Sequence, residues 1–333
     1  MPQWLIDIVL FSLGFILLTY GADFLVRGAS RLAARVKVSP VVIGLTIVAF
    51  GTSLPELVVS LVASAEGDSS IAIGNIVGSN IANIGLILGL VALLATTKVD
   101  GYMMRREIPL LIGCTILFII LSWNGELGLI EGLVLAAGLV GFTYYSFSTV
   151  RQNPDQVEDA ETRLEVAETI DEEIAEPSTR PFFDIGLIMV GLVGLVVGAD
   201  WLVTSAESMA RAMGVSELVI GLTLVAVGTS LPELATSITA VRRGEADIAV
   251  GNIIGSNLFN MLFIGGISAM VRNLTIPDQV LRIDYWVMLG ITVLVYILAF
   301  RKPHRLVRWH GALLLLIYVI YTAWLFIGGS VQV

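Results

Sequence analysis

Seven residues, Gly51-Thr52-Ser53-Leu54-Pro55-Glu56-Leu57, return unchanged as Gly228-Thr229-Ser230-Leu231-Pro232-Glu233-Leu234, an offset of 177. At that offset Gly74-Asn75-Ile76-Val77-Gly78-Ser79-Asn80 falls on Gly251-Asn252-Ile253-Ile254-Gly255-Ser256-Asn257, and Gly21-Ala22-Asp23 on Gly198-Ala199-Asp200. No gap is needed, and residues 41–84 share 26 of 44 positions with 218–261. The chain is therefore two copies of one unit. Each copy plants a carboxylate beside a proline inside an otherwise apolar run.

Composition decides the solvent. With 56% hydrophobic and 14% charged residues, the chain lies far from the roughly 25% charged of soluble domains. Stretches of about 20 apolar residues cross a hydrocarbon core roughly 30 Å thick. Ten such stretches are expected, near 5–26, 38–65, 69–95, 107–123, 127–149, 183–205, 216–241, 247–270, 284–300 and 309–328. Five per copy is an odd number, so the second copy must enter the bilayer upside down. The expected architecture is an all-α polytopic membrane protein with ten transmembrane helices, arranged as two inverted five-helix repeats with broken helices at the midplane. Residues 1–150 form the first repeat, 151–181 an acidic cytoplasmic linker and 182–333 the second repeat.

Basic residues give the orientation, since short cytoplasmic loops collect them. The odd-numbered loops hold 16 of the 19 Lys and Arg, and the even-numbered loops hold only Arg211, Arg272 and Arg282. That places the odd loops in the cytoplasm and both termini outside, in a multi-pass membrane protein. The first span has no basic leader and is expected to be retained. The formal charge of -9 comes largely from residues 151–180, with ten acids and three bases. So polar a stretch reads as a flexible linker. It lacks an Asp-x-Asp-x-Asp-Gly calcium loop. The single cysteine, Cys114, excludes an intrachain disulfide.

Asp23 and Arg27 stand four apart at the end of the first span, the spacing of a helical anchoring pair, although the second copy has Thr204 in place of the base. The second span breaks at Thr52 to Glu56. Pro55 offers no N–H to the carbonyl of Gly51, so backbone oxygens from Ala49 to Thr52 are expected to lose helical partners. Freed carbonyls at membrane depth are tolerated where they line a cavity or meet an ion. Thr52, Glu56 and Ser60 share one helix face, as do Asn75, Ser79 and Asn83 on the next span. The second copy repeats this with Thr229, Glu233 and Ser237, then Asn252, Ser256 and Asn260. His304 and His310 fall in a basic loop and read as interfacial residues.

An ionisable residue inside a membrane is by default functional, and Glu56 and Glu233 are two, brought together by the duplication. Their neighbours offer hydroxyls, amides and carbonyls, with no buried Cys or His near. Such an all-oxygen set suits hard cations, and calcium's forgiving geometry fits mobile helices better than magnesium's octahedron. Two carboxylates neutralise one Ca²⁺ or two Na⁺, so one cavity can hold either in alternation. No cofactor and no nucleic acid partner are expected; Ca²⁺, Na⁺ and the lipid bilayer are the partners.

Gly-Thr-Ser-Leu-Pro-Glu followed by Gly-Asn-x-x-Gly-Ser-Asn, twice in one chain, resembles the calcium/cation antiporter superfamily, specifically its prokaryotic sodium/calcium exchangers. The resemblance implies Na⁺/Ca²⁺ exchange by alternating access. It implies that Glu56 and Glu233 bridge the ions, flanked by Thr52, Ser53, Thr229 and Ser230, with carbonyl oxygens from Ala49 and Ala226. Ser79 and Ser256, with Asn83 and Asn260, would complete the set. Position 260 is Asn where some potassium-dependent relatives carry Asp, which argues against potassium co-transport. A Ca²⁺/H⁺ antiporter keeps the fold and changes the coupling ion; a passive channel sits poorly with inverted repeats; and no nucleotide loop or catalytic pairing points to an enzyme.

Overall fold

The computed structural model describes residues 3–36, 40–99, 101, 103–150, 181–213 and 226–329. Residues 151–180 of the expected linker 151–181 lie outside them, as do residues 216–225 of the seventh expected span; Pro181 already belongs to a helix.

The described chain is helical almost throughout. In order come α1 (Gln3–Val36), α2 (Pro40–Thr52), α3 (Leu54–Glu66), α4 (Ser69–Leu94), α5 (Ile108–Leu121) and α6 (Leu129–Val150). The second half has α7 (Pro181–Ala212), α8 (Ala226–Gly228), α9 (Leu231–Arg242), α10 (Ala246–Val271), α11 (Val280–Ala299) and α12 (Arg308–Gly329). Among the described residues, six helices are long and apolar enough to cross a membrane: α1, α4, α7, α10, α11 and α12. A seventh span forms if α2 and α3, bent by 47°, count as one. The chain is therefore a multi-pass integral membrane protein. Two expected spans fall short of that length test: α5 has 14 residues, and the apolar part of α6 runs over Leu129–Tyr144.

The first span, expected to end near residue 26, continues as helix to Val36. Neither Pro nor an αL glycine interrupts Arg27 to Val36, so nothing stops the helix where the apolar run ends. At 1.5 Å per residue its length is about 50 Å, well beyond a hydrocarbon core of roughly 30 Å.

Burial separates an inner layer from an outer one. The most apolar windows of α4 and α10 are 78% and 83% buried, against 28% for α1 and 17% for α12. Phe15, Ile130, Val140 and Ile320 stand on the exposed faces, where hydrocarbon is the matching solvent. The larger core gathers around α4, α5, α10 and α11. A smaller one lies between α1, α7 and the starts of α2 and α10. There α1 and α7 run antiparallel in close approach: a Cβ on Gly14 would lie 2.8 Å from the Gly198 carbonyl, and one on Gly21 2.8 Å from the Leu195 nitrogen. Small residues at such turns let two membrane helices pack backbone to backbone.

Both central helices contain a wide π-turn, Asn83–Leu88 in α4 and Phe259–Ile264 in α10. Such turns slip the hydrogen-bond ladder by one residue and cluster at functional sites.

Four short strands were not foreseen: β1 (Thr97–Lys98), β2 (Glu126–Leu127), β3 (Leu274–Thr275) and β4 (Arg305–Leu306). β1 pairs antiparallel with β4, and β2 with β3. The all-α expectation is corrected to that extent, because two residues are too few to show the alternation that marks a strand. Each pair joins a loop of one copy to a loop of the other. Counted by the ten expected spans, β1 and β4 belong to odd-numbered loops, and β2 and β3 to even-numbered ones.

A side-chain link obeys the same parity. Asp23 pairs with Arg27, Nε to Oδ2 at 3.0 Å, as the four-residue spacing suggested. Its other oxygen takes Nε of Arg243 at 2.6 Å and also the Nη2 group of that guanidinium. Ser30 donates to Glu245 at 2.8 Å beside it. The simple anchoring pair is thus corrected to a three-residue tie between α1 and the end of α9.

Candidate functional site

The break between α2 and α3 sits at Ser53, φ -82° and ψ 9°, with Pro55 in the first turn of α3. Ser230 breaks the second copy in the same way, φ -88° and ψ 8°, before Pro232. Proline suits a helix's first turn, where its missing N–H has no partner to lose. One expectation fails here. The Ala49 carbonyl, thought to be freed, accepts from the Ser53 N–H at 3.1 Å and from the Thr52 hydroxyl at 3.4 Å. The proline removes a donor two residues too late to release it.

Each break places one glutamate at the start of a helix, and the two copies then reach across to each other. The Ser53 hydroxyl donates to Glu233 Oε1 at 2.9 Å, and the Ser230 hydroxyl donates to Glu56 Oε1 at 3.1 Å. These bonds are equivalent under the 177-residue offset. Ser256 adds a third donor, 3.4 Å from Glu233 Oε1. Both carboxylates are buried, and each keeps its second oxygen, Oε2, without a hydrogen-bond partner. A buried acid costs about 2.5–3.5 kcal/mol at membrane depth on insertion scales, a cost that either protonation or a bound cation relieves.

Amides brace the site. Asn75 donates to the Glu56 carbonyl at 3.0 Å and to the Ser60 hydroxyl at 2.9 Å, while Asn252 donates to Ser237 at 3.2 Å. Thr52 donates to Asn252 Oδ1 at 3.1 Å, a link between the copies. Thr229, the counterpart of Thr52, has a buried hydroxyl with no partner. Asn83 donates to Asn257 Oδ1 at 3.0 Å, whereas neither amide atom of Asn260 is engaged. Ser79 is buried one turn before Asn83. Ala226 opens the short helix α8 before the second break.

The structure thus joins Ser53 and Ser256 to Glu233, Ser230 to Glu56, and Thr52 to Asn252. The contact by which Asn257 joins Asn83 to Asn80 was overlooked, although Asn80 and Asn257 recur in the two copies. Among the described residues no three His, Cys, Asp or Glu side chains come together; the oxygens around the two carboxylates are neutral. Beside Ser53, the aromatic rings of Phe50, Phe259 and Phe263 pack 5.6–6.2 Å apart and line a small cleft with Leu57 and Ile264. His304 and His310 make local bonds, to the Ala299 carbonyl at 3.0 Å and from the Val307 N–H at 3.3 Å.

Residues 6–148 and 183–327 match a family model described as sodium/calcium exchanger protein. The chain is 37% identical over 324 residues to the inner membrane protein YrbG of Escherichia coli K12, covering 97% of each. It is 33% identical over 348 residues to the sodium/calcium exchanger MaX1 of Methanosarcina acetivorans, covering 96% of this chain and 99% of that one. Among solved structures it is similar to the sodium-calcium exchanger NCX_Mj soaked with Na⁺ and Sr²⁺, with a TM-score of 0.81, 33% identity, and coverage of 96% and 98%. The same exchanger soaked with Na⁺ and Ca²⁺ gives 0.80, 32%, 96% and 98%.

Proposed function

The chain belongs to the sodium/calcium exchanger family, and from that premise we propose that it is a secondary active antiporter exchanging Na⁺ for Ca²⁺ by alternating access, extruding Ca²⁺ without a potassium requirement. The observation that carries this reading is the reciprocal pair of bonds from Ser53 to Glu233 and from Ser230 to Glu56. Through it, each copy completes the other's carboxylate, and two buried acids with free oxygens come to lie in one all-oxygen set.

In this reading the unpartnered Oε2 atoms of Glu56 and Glu233 take the cation directly. Thr52, Ser53, Thr229, Ser230, Ser79 and Ser256 flank it with hydroxyls, Asn83 and Asn260 with amide oxygens, and Ala49 and Ala226 with backbone carbonyls. Ala49's oxygen holds the Ser53 N–H and keeps a lone pair when the single Thr52 hydroxyl proton goes to Asn252 Oδ1, the shorter of its two contacts. Neutral hydroxyls and amides suit an exchanger. They let the two carboxylates set the charge, so that Ca²⁺ or more than one Na⁺ satisfies the same site, and neither is held with the rigidity of a closed cage. Asn260 in place of an acid leaves the carboxylate count at two, the basis for potassium independence.

Ten spans in two inverted repeats, with both termini extracytoplasmic in an inner membrane, are part of the same proposal. Supporting it, β1–β4, β2–β3 and Asp23–Arg243 each join loops of equal parity, as an alternating path demands. Residues 151–181 act as a tether, and replacing 155–176 by a short flexible segment should leave exchange running.

The test is Ca²⁺ uptake into Na⁺-loaded liposomes carrying the purified protein, diluted into Na⁺-free and K⁺-free buffer at equal pH on both sides. Uptake that depends on internal Na⁺ is the expected result. Uptake only after a proton gradient is imposed would overturn the coupling ion and make the protein a Ca²⁺/H⁺ antiporter.

A further inference from the structure

Three buried asparagines form a directional relay between the copies. Asn257, on α10, donates Nδ2 to the backbone carbonyl of Asn80 at 3.5 Å. A carbonyl can only accept, so the Asn257 amide has one permitted orientation, with Oδ1 turned to Asn83. Asn83 must then present its NH₂, and does, at 3.0 Å. What remains of the Asn83 amide is its oxygen, buried and without a partner. Asn83 lies one turn beyond Ser79 on the same face of α4 and at the first position of the π-turn. The relay therefore decides which end of the Asn83 amide is left over, acceptor or donor. For a site that takes cations, that choice is the difference between a ligand and a repulsive group.

The mirror relay is not made. Under the 177-residue offset Asn80 corresponds to Asn257 and Asn260 to Asn83. Yet Asn80 Nδ2 donates to the Ile76 carbonyl at 2.7 Å within its own helix, its oxygen has no partner, and both amide atoms of Asn260 are unengaged. Orientation is imposed on one amide only.

We infer that Asn257 is a positioning residue, which fixes the Asn83 amide with its oxygen free to meet the transported cation and itself touches no ion. This rests on the cation-site reading above. Without the Asn257 acceptor the Asn83 amide can turn either way, and half-saturating Ca²⁺ rises roughly five- to tenfold, the factor one net hydrogen bond is worth. The maximal rate stays within about twofold, because the carboxylates are untouched.

A double-mutant cycle in the liposome assay separates this role from packing. N257L is compared with the parent, and N83D/N257L with N83D. A carboxylate at position 83 has an oxygen at both ends, so its orientation no longer matters. N257L should raise half-saturating Ca²⁺ roughly five- to tenfold in the parent background and at most about twofold in the N83D background. Equal ratios in both backgrounds, or a lost maximal rate with unchanged half-saturation, would overturn the role of Asn257 and leave the site reading in place. If N257L fails to give monodisperse protein, N257A removes the same acceptor without added bulk. E56Q is run alongside: a parent that takes up no Ca²⁺, or E56Q matching the parent, removes the site reading and with it the inference.

Discussion

At the centre of the molecule the two copies make one matched exchange: Glu56 receives Ser230 as Glu233 receives Ser53, and Asn75 braces Ser60 as Asn252 braces Ser237. Toward the ends they part. Asp23 and Arg243 form an ion pair on one face, while the same offset carries them to Asp200 and Glu66 on the other, two acids that cannot pair. Even beside Ser53 the copies differ: Phe50, Phe259 and Phe263 cluster there and correspond to Val227, Ala82 and Leu86. In the proposed ion site the two copies keep the same residue types. At the ends, which the proposed alternating cycle would open in turn, they differ, and under that proposal the two openings cost different energies.

The largest effect should test the equality itself. E56Q and E233Q keep shape and lose charge, and stripping one partner from a buried charged set costs about 3–5 kcal/mol. Uptake should fall by roughly a hundredfold or more in each variant, and activity in only one of them would break the equivalence. S53A and S230A come next. Each removes a hydroxyl donor to a carboxylate, worth about 1.5–3 kcal/mol, so half-saturating Ca²⁺ should rise at least tenfold or so in both, with the two values within about threefold of each other. A clear inequality would show that Ser256, which supports only Glu233, has taken over from Ser53.

Smaller changes should sharpen the asymmetry of the ends. R243A removes a partly buried tie, and hydrogen exchange at backbone amides of residues 241–250 should quicken about fivefold, in line with an ion pair near the upper end of about 1 kcal/mol. E66R places a base at the position that the offset matches to Arg243, opposite Asp200 as Arg243 is opposite Asp23. Amides near Asp200 should then slow by about two- to threefold, and no change there would mean that the two ends are not built to the same plan.

The duplication, the membrane setting, the two carboxylates and the proline breaks were legible in the sequence because each is a local signal, periodic or repeated. The fate of the Ala49 oxygen was not. It depends on whether the N–H of Ser53 still reaches it, a matter of turn geometry and not of composition. The tie from Asp23 to Arg243 spans 220 positions, and no spacing rule looks that far. The asparagine relay escaped for a different reason: repetition marked Asn80 and Asn257 as similar, whereas the structure gives their side chains different work.

The strand pairs set a timetable for biogenesis. β1 and β2 are made early, and their partners β4 and β3 lie far down the chain; Lys98 waits roughly 200 residues for Arg305. At about 5–20 residues per second of synthesis, the first copy spends on the order of 10 to 40 s with these edges unpaired. The first half therefore cannot close its own loops while the second is still on the ribosome, and the same clasp makes each half a template that the other must find before the site exists.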